Sequence, residues 1–369
     1  MSTTTTRTAS WKALDAPNAP CPRSSHELSS IGSRVYLFGG ENGPLNSHFG
    51  YGLPVTSTAV EWVDLDDTKK SWKQITVTKG NPPSPRLGHG QCILIHEEVN
   101  AYLFVFGGRH PIDGNLDNIR SLNDLHRLNL ESGVWEEIKD TTGDIPSPRS
   151  YQQMVSVGDK LYVFAGMVDN TRYNDLYSFD TKQNHWTRLA SSPMEGRGGP
   201  GLCVIGRGKD VSLVVVAGFC GRPMADVWQY LIATDEWIER TDWTLPVARS
   251  IFACGTLRSD DTGKEVEICT FGGELENFDA ALIEKGEDPT LQASLYSNET
   301  LVLSSGTNSS IVRTVEYVGS TSPLARGWTA GCTALVEGKN CFVVFGGVRE
   351  GKEGEPSGVR LGDLLILNP

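Results

Sequence analysis

Arg149-Ser-Tyr-Gln-Gln-Met-Val-Ser-Val-Gly-Asp-Lys-Leu161-Tyr-Val-Phe-Ala165-Gly166 is the stretch that decides the fold. It reads as an Arg, a short polar strand, a Gly-Asp turn, an apolar strand, and two small residues. The same sentence is spelled six times, from Arg23, Arg86, Arg149, Arg197, Arg249 and Arg326 to Gly39-Gly40, Gly107-Gly108, Ala165-Gly166, Ala217-Gly218, Gly272-Gly273 and Gly346-Gly347. The gaps are 16, 21, 16, 20, 23 and 20 residues. Self-similarity at such a period identifies a repeat architecture before any single residue is weighed.

Outward from each small pair, a variable loop leads to a third strand, such as Asn123-Asp-Leu-His-Arg-Leu or Gly362-Asp-Leu-Leu-Ile-Leu. A Trp then opens a fourth strand at Trp72, Trp135, Trp186 and Trp237, with Val312-Arg-Thr-Val-Glu in its place in the fifth unit. The sixth unit runs out at Pro369, and Ser10-Trp11-Lys-Ala-Leu14 supplies what it lacks. The expected fold is all-β: a six-bladed propeller whose N-terminal strand completes the last blade and removes the exposed sheet edges. The Gly pair and spaced Trp resemble the Kelch repeat. One domain is expected over 10–369, preceded by a disordered tail at 1–9, and the small pairs are expected where backbones crowd near the axis.

Six blades use all 369 residues. A net charge of -12 argues against nucleic-acid and anionic-membrane partners. There is no run of about 18 apolar residues, and the start Met1-Ser-Thr-Thr-Thr-Thr-Arg7 lacks an apolar signal core, so a cytoplasmic location is expected. None of the eight Cys forms a CxxC pair. Cys92, Cys203 and Cys332 share a slot six residues after their Arg, as expected of free thiols at a small buried strand position.

Function is sought where the repeats differ. The residues after the small pairs are Glu41, Arg109, Met167, Phe219, Glu274 and Val348, an amphiphilic set expected to line the inner rim of a pocket. The longest loops follow blades one and five, and Ala280–Lys285 in the second could form a short helix lying over the axis. The six repeat Args are expected to be architectural, donating through their forks to carbonyls of the neighbouring blade. His26 and His89 lie three residues after their Args, where the other blades carry Gln152, Pro200, Phe252 and Thr329, too little for a two-His metal site. No nucleophile elbow, phosphate loop or HExxH motif occurs.

The blade starts Pro22-Arg-Ser-Ser-His26, Arg149-Ser-Tyr151, Gly196-Arg-Gly-Gly-Pro-Gly201, Ala248-Arg-Ser-Ile-Phe-Ala253 and Ala325-Arg-Gly-Trp-Thr-Ala330, taken with Phe38-Gly-Gly-Glu41 and Phe106-Gly-Gly-Arg109, resemble the plant specifier proteins. That family directs breakdown of glucosinolate aglucones and uses ferrous iron. The resemblance implies that Arg109 and Arg172 bind a sulfate group and that Tyr151 and Trp328 form apolar walls. Paired guanidiniums suit an anionic leaving group. The chain departs from the family at the metal: in the motif Glu-x3-Asp-x3-His, Glu274 matches, but the next two positions are Phe278 and Leu282, and Asp279 falls one residue late. Either Glu274 and Asp279 hold a metal with another acid, or no metal is bound.

Three functions are therefore expected to compete. In a specifier-like lyase, Arg109, Arg172, Tyr151, Trp328, Phe219, Met167 and Phe252 hold a small polar or anionic substrate, while Glu274, Glu41 or Asp279 provides acid-base chemistry, with Fe(II) or no cofactor. A metal-free isomerase, epimerase or cyclase would use the same pocket. An interaction propeller would instead bind a protein partner or a second copy of the chain. Kelch adaptors usually carry flanking domains, and the short tail before Trp11 leans the expectation toward a stand-alone enzyme on a small-molecule substrate.

Overall fold

The structure is a computed structural model that describes residues 8–42, 53–96, 100–112, 115–276, 295–306, 309–314, 316–317, 322–352, 355 and 358–368. Six antiparallel sheets form the blades of a β-propeller. In blade three, for example, Gln153–Val157, Lys160–Phe164, Leu176–Asp180 and His185–Arg188 pair in sequence order. Blade six is built from Ala330–Val336, Lys339–Phe345 and Leu364–Asn368, and Thr8–Leu14 completes it with Trp11 opposite Leu367. Ring closure by the N-terminal strand is thus observed. The strand begins at Thr8, two residues before the expected boundary. The anticipated helix at Ala280–Lys285 lies outside the described residues.

Alternating apolar residues of the second strands, such as Val35, Leu37, Leu161 and Val163, are wholly buried and pack blade on blade. Trp11 is 5% exposed, sits 4.8 Å from the Phe271 ring in blade five, and donates its indole N–H to the Thr300 hydroxyl. The closing strand therefore locks two blades together.

Both residues of every small pair have positive φ. At the first position φ lies near the left-handed minimum, so Ala165 (62°) and Ala217 (51°) are admitted. At the second, φ runs from 90° at Gly108 to 112° at Gly218, a region where only Gly is comfortable. A Cβ on Gly40 would also meet the Ser24 carbonyl at 2.7 Å.

The repeat Args are architectural, but by a different arrangement from the one expected. Each fork stays within its own blade. Arg149, wholly buried, donates to the Ala165 carbonyl at 2.9 Å and clasps Asp175 with both terminal nitrogens at 2.6 and 3.2 Å. Arg86 with Asp124, Arg197 with Asp226 and Arg326 with Asp363 repeat this clasp, and Arg23 with Glu61 and Arg249 with Glu299 repeat the pairing. Bidentate guanidinium–carboxylate pairs suit a buried site because the fork satisfies both charges. The link to the neighbouring blade runs through the Arg's own carbonyl, which accepts the N–H of the preceding blade's second small residue, as in Gly40 to Arg86 at 2.9 Å and Gly108 to Arg149 at 2.9 Å.

Two residues after each Arg, the chain turns through left-handed geometry: Ser25, Gly88, Tyr151, Gly199, Ile251 and Trp328 all have φ between 50° and 59°. Their N–H groups donate in a closed circle, each to the carbonyl of the preceding member: Gly88 to Ser25, Tyr151 to Gly88, Gly199 to Tyr151, Ile251 to Gly199, Trp328 to Ile251, and Ser25 to Trp328, at 2.6–3.0 Å. This collar ties all the blades at the axis. A β-branched Ile in this conformation is strained, and the circle of hydrogen bonds offsets that strain.

Candidate functional site

The collar divides the axis. On one side lies the rim. Each residue after a small pair is bridged to the residue after its own blade's Arg: Glu41 with Ser24, Arg109 with Leu87, Met167 with Ser150, Phe219 with Gly198, Glu274 with Ser250, and Val348 with Gly327. The collar residue follows immediately, so the ladders hold the rim positions against the collar and bring their differing side chains to one face of the ring. Glu41, Arg109, Tyr151, Trp328, Met167, Phe219 and Glu274 are assembled there. Phe252 is not among the rim side chains. It is 6% exposed, packs with Cys203, Val216 and Trp243, and lines the axial cavity on the other side of the collar, because its slot leads into the first strand rather than the rim ladder. Asp279, with Phe278 and Leu282, lies outside the described residues.

A hydrogen-bonded chain crosses the collar. The Tyr151 hydroxyl accepts from Arg109 at 3.0 Å and lies 3.4 Å from the Ser25 hydroxyl, which donates to Glu41 at 2.8 Å. The second Glu41 oxygen faces Arg360 at 3.5 Å, and Arg360 also donates to the Ser24 hydroxyl at 3.0 Å. Burial pushes the Tyr151 phenol up to about 12, against the pull of Arg109, so it is a neutral hydrogen-bonding group. Its ring meets Trp328 edge-on at 5.6 Å and carries the Arg109 guanidinium on its face at 4.8 Å. A Cβ at Gly88 would come within 3.1 Å of the Tyr151 ring, so that glycine leaves the space the ring uses.

Charge is divided across the rim. In blades two to four, Arg109 stands over Tyr151, and Arg172, from the Met167–Arg172 hairpin, stands over Phe219 at 5.0 Å. Among the described residues no carboxylate lies in ion-pair range of Arg172. In blades five, six and one stand Glu274, Tyr296 and Glu41 with Arg360. Glu274 is half-buried, and burial raises its carboxyl above the usual range. Burial, then the nearby Glu274 and Glu350, pushes the Tyr296 phenol up. Glu41 differs from Glu274: it is 1% exposed and bonded on both oxygens, which makes it an anchor of the chain rather than an open acid.

Sequence reasoning missed Ser25, Arg360 and Tyr296. Ser25 was legible as the slot two residues after the Arg, which holds the largest side chains at Tyr151 and Trp328. Arg360 and Tyr296 come from loops with no repeat position.

Of the expected iron ligands, Glu274 alone lies among the described residues. The motif positions after Glu274 are Phe278 and Leu282, which carry no donor atoms. Among the described residues, no three His, Cys, Asp or Glu side chains converge. His26 and His89 are buried in separate aromatic contacts, with Phe345 and Phe38, and burial with the adjacent Arg pulls each to about 3.

The chain is similar in sequence to several known proteins. It is 28% identical over 297 residues to bovine (Bos taurus) Kelch domain-containing protein 2, covering 73% of this chain and 66% of that protein. It is 32% identical over 130 residues to an N-(sulfonatooxy)prop-2-enimidothioate sulfolyase of Thlaspi arvense, covering 35% of this chain and 34% of the plant protein. Human (Homo sapiens) host cell factor 2 is 31% identical over 204 residues, 48% of this chain and 23% of that protein. The chain thus spans less than two thirds of each of these relatives. Among solved structures, YjhT superposes with a TM-score of 0.64 over 95% of this chain and 96% of that one at 17% identity, a likeness of fold. The profile of the KLHDC2/KLHL20/DRC7 Kelch-repeats domain matches residues 50–273, and with the sixfold repeat, the buried Arg clasps and the closed ring, the chain belongs to that Kelch-repeat family.

Proposed function

We propose that the rim face binds a small polar molecule through an anionic group, with Arg109 and Arg172 as its cationic anchors. The observation that carries this reading is the division of the rim. Two guanidiniums stand on aromatic faces in blades two to four, while the raised acid Glu274 stands in blade five. Planar guanidiniums on rings are held in place, so less side-chain freedom is lost when they close on an anion. Tyr151 and Trp328 give the ligand an apolar floor, and Glu274 receives a donor group at its other end.

Calorimetric titration with methyl sulfate and with acetate tests this. Saturable binding that weakens with salt, and that falls at least tenfold in Arg172→Ala with the melting temperature unchanged, is the expected result. Absence of heat from both anions, or the same affinity in the variant, overturns it.

Similarity to the plant sulfolyase favours a second reading, in which the bound anion is a leaving group and the protein promotes lyase chemistry without iron. Glu274, half-buried with a raised pKa, would then be the proton-carrying group. Release of sulfate from an alkyl thiohydroximate sulfate, measured with wild type and Glu274→Gln, separates the two readings. Equal release with and without protein leaves binding alone.

A further inference from the structure

Beyond the collar, on the side away from the rim, the first strands of the blades enclose a cavity of about 440 Å³. Of the rim residues, Glu41, Arg109, Met167, Arg172, Phe219 and Glu274 do not line it, whereas Tyr151 and Trp328 border both. Its inner end is lined by the six collar residues. At its other end stand the residues seven places after each Arg: Ser30, Ile93, Ser156, Val204, Thr256 and Thr333, all half-exposed, so the mouth opens there. Ser30 donates to the Thr333 carbonyl, Ser156 to Ile93 and Thr256 to Val204, so every second blade stitches the mouth to the blade before it.

Glu27 is the carboxylate that lines this cavity. Gln153, two blades away, donates to it at 3.5 Å. Between them in the ring sits Gly90, where a Cβ would collide with Met154 at 2.9 Å, so no side chain stands in the way. The groups packed around Glu27 bring no cation. His26 and His89 are neutral at ordinary pH because burial and the adjacent Arg pull each to about 3. The thiols of Cys92 and Cys254 are pushed up, that of Cys332 to about 12, and the Tyr151 phenol also to about 12. Arg34, on the adjoining second strand, is turned outward to Asp64. The remaining walls mix the thiols of Cys92, Cys254 and Cys332 and aliphatic groups with hydroxyls and amides such as Ser29, Gln91 and Thr329. A cavity of this size, with one convergent charged group among hydroxyl, amide and apolar walls, has the form of a small-ligand site. The net charge of -12 favours cations at its mouth.

We propose that the axial cavity is a second binding site, for a small organic cation of the ammonium or amidinium class, whose charged head pairs with Glu27 and Gln153 while its body lies between the mixed thiol, aliphatic and hydroxyl walls. Burial raises Glu27 to about 8, so below that pH the free protein carries a proton there. Cation binding displaces the proton, and affinity rises about tenfold per pH unit up to about pH 8, then levels off.

The test is calorimetric titration of the full chain with benzamidinium at pH 6.5 and 8.5, with neutral benzamide as the control. Expected are binding at least tenfold tighter at pH 8.5, no binding of benzamide, and loss of benzamidinium binding in Glu27→Gln with the rim anions still bound. At pH 6.5, repeating the titration in buffers of different ionisation enthalpy should show close to one proton released per cation, which keeps the test decisive if the variant does not fold. Absence of benzamidinium binding, equal binding of benzamide, or pH-independent binding without proton release overturns the proposal.

Discussion

The Arg clasps and the rim are neighbours in the chain and opposites in behaviour. Arg149 and Tyr151 are two residues apart. The first repeats in every blade as a buried Arg with an acid, Glu61, Asp124, Asp175, Asp226, Glu299 or Asp363, as its partner. The second shares its backbone geometry with five counterparts and its side chain with none. Repetition therefore marks the frame, and variation on a repeated backbone marks the site. The same amino acid takes either part: Arg149 is wholly buried and clasped, whereas Arg172 is half-exposed on the face of Phe219.

That contrast can be broken by mutation. Arg149→Ala should destabilise the fold by about 3–5 kcal/mol, because it strands Asp175 in the interior without its partner. Equilibrium denaturation in urea measures this, and a change near zero would remove the distinction between frame and rim. Trp11→Ala comes next, at about 3 kcal/mol or more, since it empties the closing strand's place against Phe271 and Phe342. A neutral result would mean that ring closure does not rest on that strand.

Glu27→Gln sharpens the comparison from the cavity side. From about pH 4.5 to about 8, an unfolded Glu27 is ionised while the folded one keeps its proton, so wild type loses stability relative to the variant across that window and no further above it. The variant should gain at least about 1 kcal/mol on wild type between pH 5 and pH 9. A constant difference would show that the Glu27 carboxyl titrates normally. The smallest effect on stability is expected from Arg172→Ala, within about 1 kcal/mol of wild type. Its consequence should be confined to anion binding, and a large fall in melting temperature would make it part of the frame.

The repeat was legible because each blade needs the same parts: an Arg to fill a polar hole, an apolar strand to pack on its neighbour, and a small pair to turn through positive φ. The acids that clasp the Args were also on the page, as one acidic residue opening each third strand from Glu61 to Asp363. They were overlooked because an acid in a strand reads as a solvated edge until its partner is known. The rim set was found by comparing unlike residues at like positions. Phe252 is not on the rim because its slot precedes a first strand, and only the packing shows that it sits beside the axial cavity and against the core.

The sequence by itself determined the propeller, its blade count, the closure by Trp11 and which residues follow the small pairs, since all of these follow from local periodicity and from which residues tolerate a given backbone. Tertiary structure alone decided that the Arg forks stay in their own blades, that a collar of six hydrogen bonds separates rim from cavity, and that Glu41 is an anchor while Glu274 is an open acid. The physical reason is that burial and charge pairing depend on neighbours far apart in the chain. Glu27 and Gln153 stand 126 residues apart and meet only because the ring closes.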